Sequence, residues 1–174
     1  MLTVTGLDRN DDVRLIKKYA YFCLSKFVPN KILRKAIISV KFVHHDDFED
    51  SKERKELKEC SAWMIYDGVV NDRRKFSITM DKAVIRKNAK KQMTRYKETL
   101  KNLGHEMVHV KQYLLNELFD YKDGQTSRYM GGRYAYTGEM DWTYWDAPYE
   151  VEAYGRMEGL YQMFLQKIKE EKRA

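Results

Sequence analysis

Cysteine is scarce in this chain of 174 residues: Cys23 and Cys60 are too few for a disulfide scaffold, and they lack CxxC spacing. Reduced thiols in a cytosolic compartment are therefore expected, with Cys23, inside an apolar helical pattern, read as core. Long apolar runs are missing too; none approaches the roughly 20 residues that a membrane helix requires, which excludes a spanning segment. The opening MLTVTGLDRNDDVRL carries acidic residues where a signal peptide needs an apolar stretch after basic ones, and so argues against secretion and for a cytoplasmic protein. Internal repeats and low-complexity tracts are absent, and the two prolines, Pro29 and Pro148, act as isolated punctuation. What is present, 43% hydrophobic and 34% charged residues with a mean hydropathy of -0.72, describes a soluble globular chain. It is long enough to bury a core as one domain over residues 1–174.

Charge imbalance is also lacking outside one segment. The chain has 33 Lys and Arg against 26 Asp and Glu, a net +7. Between positions 82 and 101, eight basic residues (Lys82, Arg86, Lys87, Lys90, Lys91, Arg95, Lys97 and Lys101) face the single acid Glu98, and the other 25 basic and 25 acidic residues cancel. Basic helices attract nucleic acid. This one, however, has no interleaved aromatic beyond Tyr96, and a solvated basic face is its simpler reading.

Val13, Ile16, Ala20, Cys23, Leu24 and Phe27 recur at helical spacing behind Asp11 and Asp12 as caps, predicting an amphipathic helix over 12–28 that Pro29-Asn30 stops. Ile37 to Val43 has strand length and β-branching, and Ala62 to Tyr66 predicts a second strand. Asp67-Gly68 then turns toward a third, Phe76 to Met80, whose alternation reads as an edge strand able to hold an extended peptide. The charged stretch Asp46 to Glu59 reads as a solvated loop or helix. From Asp81 a helical period runs to about Phe119, too long for one uncapped element, so a break is expected near Thr94. Residues 121–147 lose periodicity and gain Gly, Tyr and Trp, predicting a long ordered loop or irregular hairpin. Its aromatics Tyr129, Tyr134, Tyr136, Trp142, Tyr144 and Trp145 would form a cleft wall or lid, or simply cover the core. Pro148 suits the first turn of a last helix reaching about Lys169.

The chemistry lies in His105-Glu106-Met107-Val108-His109, an HExxH motif. Histidines at i and i+4 sit one turn apart on one helix face, so both imidazoles can reach a single zinc ion at about 2.0–2.1 Å, with the intervening Glu beside a metal-bound water. Leu100, Leu103, Met107, Val110, Leu114 and Leu118 share one face of this helix; His105, His109, Gln112 and Asn116 share the opposite, polar one. A catalytic zinc needs a third protein ligand and an open position, and PYEVEAY offers two carboxylates. On a helical wheel Glu150 lies at the centre of the apolar stripe of Tyr154, Met157, Tyr161, Phe164 and Ile168, where a carboxylate requires a metal or a buried partner such as Arg or Tyr. Glu152 points about 200° away, toward Arg156, Gly159 and Gln166, and reads as a solvated surface charge. His44-His45-Asp46-Asp47 also holds metal-binding residue types, but neighbours on a strand end point to opposite faces and chelate poorly.

With these residues in place the chain resembles a family. HExxH followed some forty residues later by a helix bearing Glu is the arrangement of gluzincin metallopeptidases, and LGHEMVHVKQY with PYEVEAY is similar to small SprT-like metallopeptidases of bacteria and bacteriophages. The likeness covers mainly residues 76–154. It implies an α+β, zincin-like minimal fold, with a small mixed or antiparallel sheet packed against the HExxH helix and a C-terminal helix. It also implies Zn2+ on His105, His109 and Glu150, with Glu106 as catalytic base. Two departures stand out: SprT proteins proper carry His as third ligand, and many gluzincins have Asp where this chain has Tyr154.

The function expected is hydrolysis of peptide bonds in a protein or peptide substrate, with Glu106 accepting a proton from zinc-activated water and delivering it to the leaving amine. Tyr134, Tyr136, Tyr144 and Tyr154 are candidates to steady the oxyanion, Tyr144 and Tyr154 foremost. The alternative is a nucleic-acid-associated protein that binds phosphate through residues 82–101 beside a zinc site. A zinc-stabilised structural module is disfavoured, because a closed structural site has no use for Glu106.

Overall fold

The computed structural model describes residues 1–9, 11–44, 46, 60–89, 92–122, 126–135 and 142–173. Strand β1 (Leu2–Thr5) leads to helix α1 (Val13–Ser25), the short α2 (Asn30–Leu33) and strand β2 (Ala36–Val43). A hairpin of β3 (Ala62–Val70) and β4 (Arg73–Asp81) follows, then helices α3 (Lys82–Asn88) and α4 (Gln92–Leu114). Strands β5 (Leu118–Asp120), β6 (Thr126–Tyr129) and β7 (Gly132–Ala135) come next, and α5 (Trp142–Trp145) and α6 (Pro148–Glu171) complete the order. The chain is thus α+β. No described helix is long and apolar enough to cross a membrane.

Local chemistry explains the main elements. Asp12 caps α1, its carboxylate accepting from the backbone N–H groups of Arg14 and Leu15 at 2.9 and 3.0 Å. Ile16, Tyr19, Ala20, Cys23 and Leu24 then bury one face of that helix. Along β2, Ala36, Ile38, Val40 and Phe42 are buried while Ile37, Ser39 and Lys41 are not, the period-two pattern of a sheet covered on one side. The sheet order is β1-β2-β4-β3, with β1–β2 and β2–β4 parallel and β3 antiparallel to β4. Phe76–Met80 is therefore interior to the sheet, paired on both sides, and β1 and β3 are its edge strands. The alternation of Phe76, Ile78 and Met80 with Ser77 and Thr79 records burial of one face and says nothing about how many neighbours the strand has.

Asp81 ends β4 and caps α3, accepting from the N–H groups of Ala83 and Val84 at 2.7 and 3.2 Å. The expected break near Thr94 falls earlier, at Ala89, which adopts φ -122 and ψ 96 and ends α3. Ala89 is itself buried, so the apolar period passes through the break unmarked. Helix α4 stops at Leu114, before the expected Phe119. Asn116 turns left-handed at φ 58, and the backbone bonds Glu117 N–H to Gln112 (2.8 Å) and Asn116 N–H to Tyr113 (3.1 Å) close a Schellman cap. Leu118 remains in the core, but from β5. The aperiodic stretch after it is an irregular antiparallel sheet, β5-β6-β7, followed by α5.

Helix α4 runs between α1, α6 and the sheet. Residues 103–114 are buried all round, so its polar side is roofed by α6 and is not open as the wheel suggested. Tyr19 packs edge-on against Phe164 at 4.9 Å, and Phe22 meets the same ring at 5.4 Å, tying α1 to α6.

Candidate metal centre

His105 and His109 project from α4 and Glu150 from the first turn of α6, and all three are buried. The two Nε2 atoms lie 3.0 Å apart. His105 Nε2 is 3.3 Å from Glu150 Oε2, and His109 Nε2 is 3.4 Å from Glu150 Oε1. The edges of a tetrahedron with bonds of about 2.0–2.1 Å measure about 3.3–3.4 Å, so the two imidazole nitrogens and the Glu150 carboxylate lie at about the spacing of ligands on one small cation. Together they form a buried His-His-Glu group that could hold a metal ion.

The donor chemistry fits as well. Gln112 Nε2 donates to Tyr149 O at 2.9 Å and to Glu152 Oε2 at 3.0 Å, which turns its amide oxygen toward His109 Nδ1 at 2.9 Å. An oxygen there requires the proton on Nδ1, so that when Nε2 gives up its proton the lone pair it exposes faces Glu150 and His105. Among the described residues, the buried Glu150 Oε2 has no hydrogen-bond donor, an arrangement that calls for a cationic partner. Burial opposes charge on His109, yet the hydrogen bond and charge of Glu150 outweigh it and carry its pKa up to about 9. Burial would raise Glu150, but its contacts with His105 and His109 hold it down at about 2. The Glu150 carboxylate thus favours positive charge beside it.

Glu106 is buried next to the three. Its carboxyl lies above the ordinary range because burial, helped by the Glu150 charge, outweighs the opposing effect of His105 and His109. Tyr154, one turn beyond Glu150, lays its ring 4.4 Å from that of His105, and Trp145 covers Tyr154 at 5.2 Å. Tyr144 on α5 is hydrogen-bonded toward both Tyr154 and Glu150; burial first, then the Glu150 charge, push its phenol well up. Both foremost candidates for oxyanion contact thus sit at the centre. Tyr134 lies on the exposed hairpin strand β7 instead, and Tyr136 is outside the described residues.

Glu152 is not the solvated charge expected of it. Its side chain is 14% exposed. It accepts from Lys111 Nζ (2.8 Å), Arg156 Nε (2.7 Å), Gln112 Nε2 (3.0 Å) and Tyr129 Oη (2.9 Å). Burial acts to raise its pKa, but Lys111, Gln112 and the other donors bring it down to about 2. A helical wheel for α6 contains neither the end of α4 nor strand β6, and these close over that side. Through Gln112 this network reaches His109, a support the motif alone did not reveal.

A cleft of about 380 Å3 opens beside His109 and Glu150, bordered also by Tyr144, Tyr149, Met64 of β3, and Tyr113, Leu118 and Asp120. Tyr144 is thus a wall residue. Trp145 is half exposed over Tyr154, and Tyr129 faces Glu152. Trp142's side chain lies outside the described residues. His44 pairs with Asp46 at 3.2 Å; His45 and Asp47, with nearly all of Asp46 to Glu59, lie outside the described residues. Of the basic segment, Lys82 and Arg86 pair with Asp8, Arg95 with Asp11 at 2.9 Å, and Lys101 with Glu158 at 3.2 Å. No protein-family model matches this chain, nor does any curated protein or solved structure.

Proposed function

We propose that the chain is a zinc-dependent metalloendopeptidase of the gluzincin or SprT-like kind, with His105, His109 and Glu150 as ligands and Glu106 as general base. The observation that carries this reading is the convergence of three ligand atoms, with a buried carboxyl beside them, at the wall of an open cleft. When bound, zinc acidifies water and stabilises negative charge on a carbonyl oxygen. Glu106 takes a proton from the attacking water at its carboxylate and releases it to the leaving amine; burial raises its basicity toward that task. Tyr144 keeps its phenolic proton and donates toward the oxyanion, with Tyr154 holding His105 and Tyr144 in place. Strand β3, the edge beside the cleft through Met64, pairs with an extended substrate backbone, and the fold is zincin-like in this sense. The free thiols Cys23 and Cys60 support a cytoplasmic setting.

The nucleic-acid alternative gains less support, because four of the eight cations in its binding segment are engaged by acids of the same chain. Metal analysis should find one zinc per chain. Glu106→Gln should keep that zinc and lose hydrolysis of casein or a peptide library. Equal cleavage by both forms, or unchanged zinc content in His105→Ala, would reject the reading.

A further inference from the structure

We propose that the cleft beside the metal centre is a subsite for a basic side chain, lysine or arginine, of the substrate, selected by Asp120. The proposal rests on the peptidase reading and adds its substrate class.

Strand alternation places Leu118 and Asp120 on the cleft side of β5, while Phe119 between them faces away and is half exposed. The arginines of the hairpin follow Phe119. Arg128 lies over the Phe119 ring at 5.8 Å and Arg133 over Tyr121 at 4.8 Å. Both guanidinium groups thus lie over the Phe119 and Tyr121 rings, and no ion pair to Asp120 is formed among the described residues. Its carboxylate is nonetheless fixed in direction: Ser127 Oγ donates to Oδ1 at 2.7 Å and the Tyr113 hydroxyl donates to Oδ2. Burial, and then the Asp120 carboxylate itself, push the Tyr113 phenol up, so it stays a donor. Each carboxylate oxygen retains acceptor capacity for a further donor.

The other carboxylate of the cleft, Glu150, is committed to His105 and His109. Met64, Tyr113 and Leu118 supply apolar wall, which suits the methylene stem of Lys or Arg while the charged head reaches Asp120. A volume of about 380 Å3 accommodates one such side chain with water. Acidic side chains would meet the Asp120 carboxylate there, and a plain aliphatic one would leave Asp120 without a cation.

The test measures binding of matched fluorescent peptides, identical but for one position holding Arg, Lys, norleucine or Glu, to zinc-loaded Glu106→Gln protein. Arg and Lys peptides should bind about tenfold tighter than norleucine, with Glu weakest. The preference should fade at high salt. Adding Asp120→Asn, which keeps an acceptor for one of the Ser127 and Tyr113 hydroxyls and turns its amide N–H toward the oxygen of the other, should erase the preference while zinc content stays unchanged. Should that variant misfold, the peptide series on the Asp120-containing protein still decides. Equal affinity across the four peptides, no binding of any of them, or a preference that survives Asp120→Asn would overturn the subsite. Selective binding without cleavage by the wild-type protein would keep the subsite and refute the peptidase reading.

Discussion

Gly104 directly precedes the first histidine of the motif, and a Cβ built on it would lie 2.5 Å from the Tyr19 hydroxyl, with the nearest ring carbon at 3.4 Å. The close approach of α1 to α4 thus depends on a missing methyl group opposite a phenol oxygen. Gly104→Ala should destabilise the protein by about 1–3 kcal/mol through overpacking. In a Tyr19→Phe background the clashing oxygen is gone, and the same change should become neutral or stabilising by up to about 1 kcal/mol, the helix preference of Ala over Gly. Urea unfolding of the four proteins measures this coupling, and equal losses in both backgrounds would contradict it. Gln112 is the second residue whose neighbours matter more than its type. Its amide fixes the proton on His109 Nδ1, so Gln112→Ala should weaken zinc binding by about 10–100-fold in chelator competition. Unchanged affinity would mean that His109 is oriented without it.

Elements were legible where their signal is local. Asp12 and the period of Ile16, Ala20, Cys23 and Leu24 mark α1, the short β-branched run Ile37 to Val43 marks β2, and HExxH places two histidines together by spacing alone. Glu150 was also legible, since a carboxylate amid an apolar stripe calls for a partner. What stayed hidden belongs to contacts between elements. The central position of β4 depends on β2 and β3, and the burial of Glu152 depends on Lys111 and Tyr129. Nothing in the apolar period around Ala89 marks the end of α3. The end of α4 had a weak signal in Asn116, the residue type that tolerates φ 58. That cap is testable. Asn116→Ala and Asn116→Gly both lose the bond from Arg74 at 2.5 Å, so their difference isolates the backbone. Glycine should be the more stable by about 1–2 kcal/mol in urea unfolding, and an equal loss for both would show that side-chain contact, not backbone strain, ends the helix.

At the scale of the molecule, the +7 charge is distributed through the tertiary structure in a way composition does not show. Asp8 and Asp11, in the loop before α1, receive Lys82, Arg86 and Arg95 from α3 and α4, so the N-terminal segment clamps the basic stretch. Burial acts to raise the pKa of Asp8, but its hydrogen bonds to Lys82 and Arg86 prevail and hold it below the ordinary 3.8. A depressed carboxylate stabilises the fold above its unfolded pKa and loses that contribution as pH falls through the folded one. Asp8→Asn should therefore lower stability near neutrality by about 0.5 kcal/mol, a value kept small by solvent screening. The gap to wild type should close as pH drops below the folded pKa; a gap that persists in acid would assign the loss to packing. The same variant tests the basic face. Releasing Lys82 and Arg86 should strengthen low-salt DNA binding over wild type, with affinity falling steeply as salt rises. Tight wild-type binding that Asp8→Asn leaves unchanged would mean that the unclamped lysines suffice, and would return nucleic acid to the list of partners.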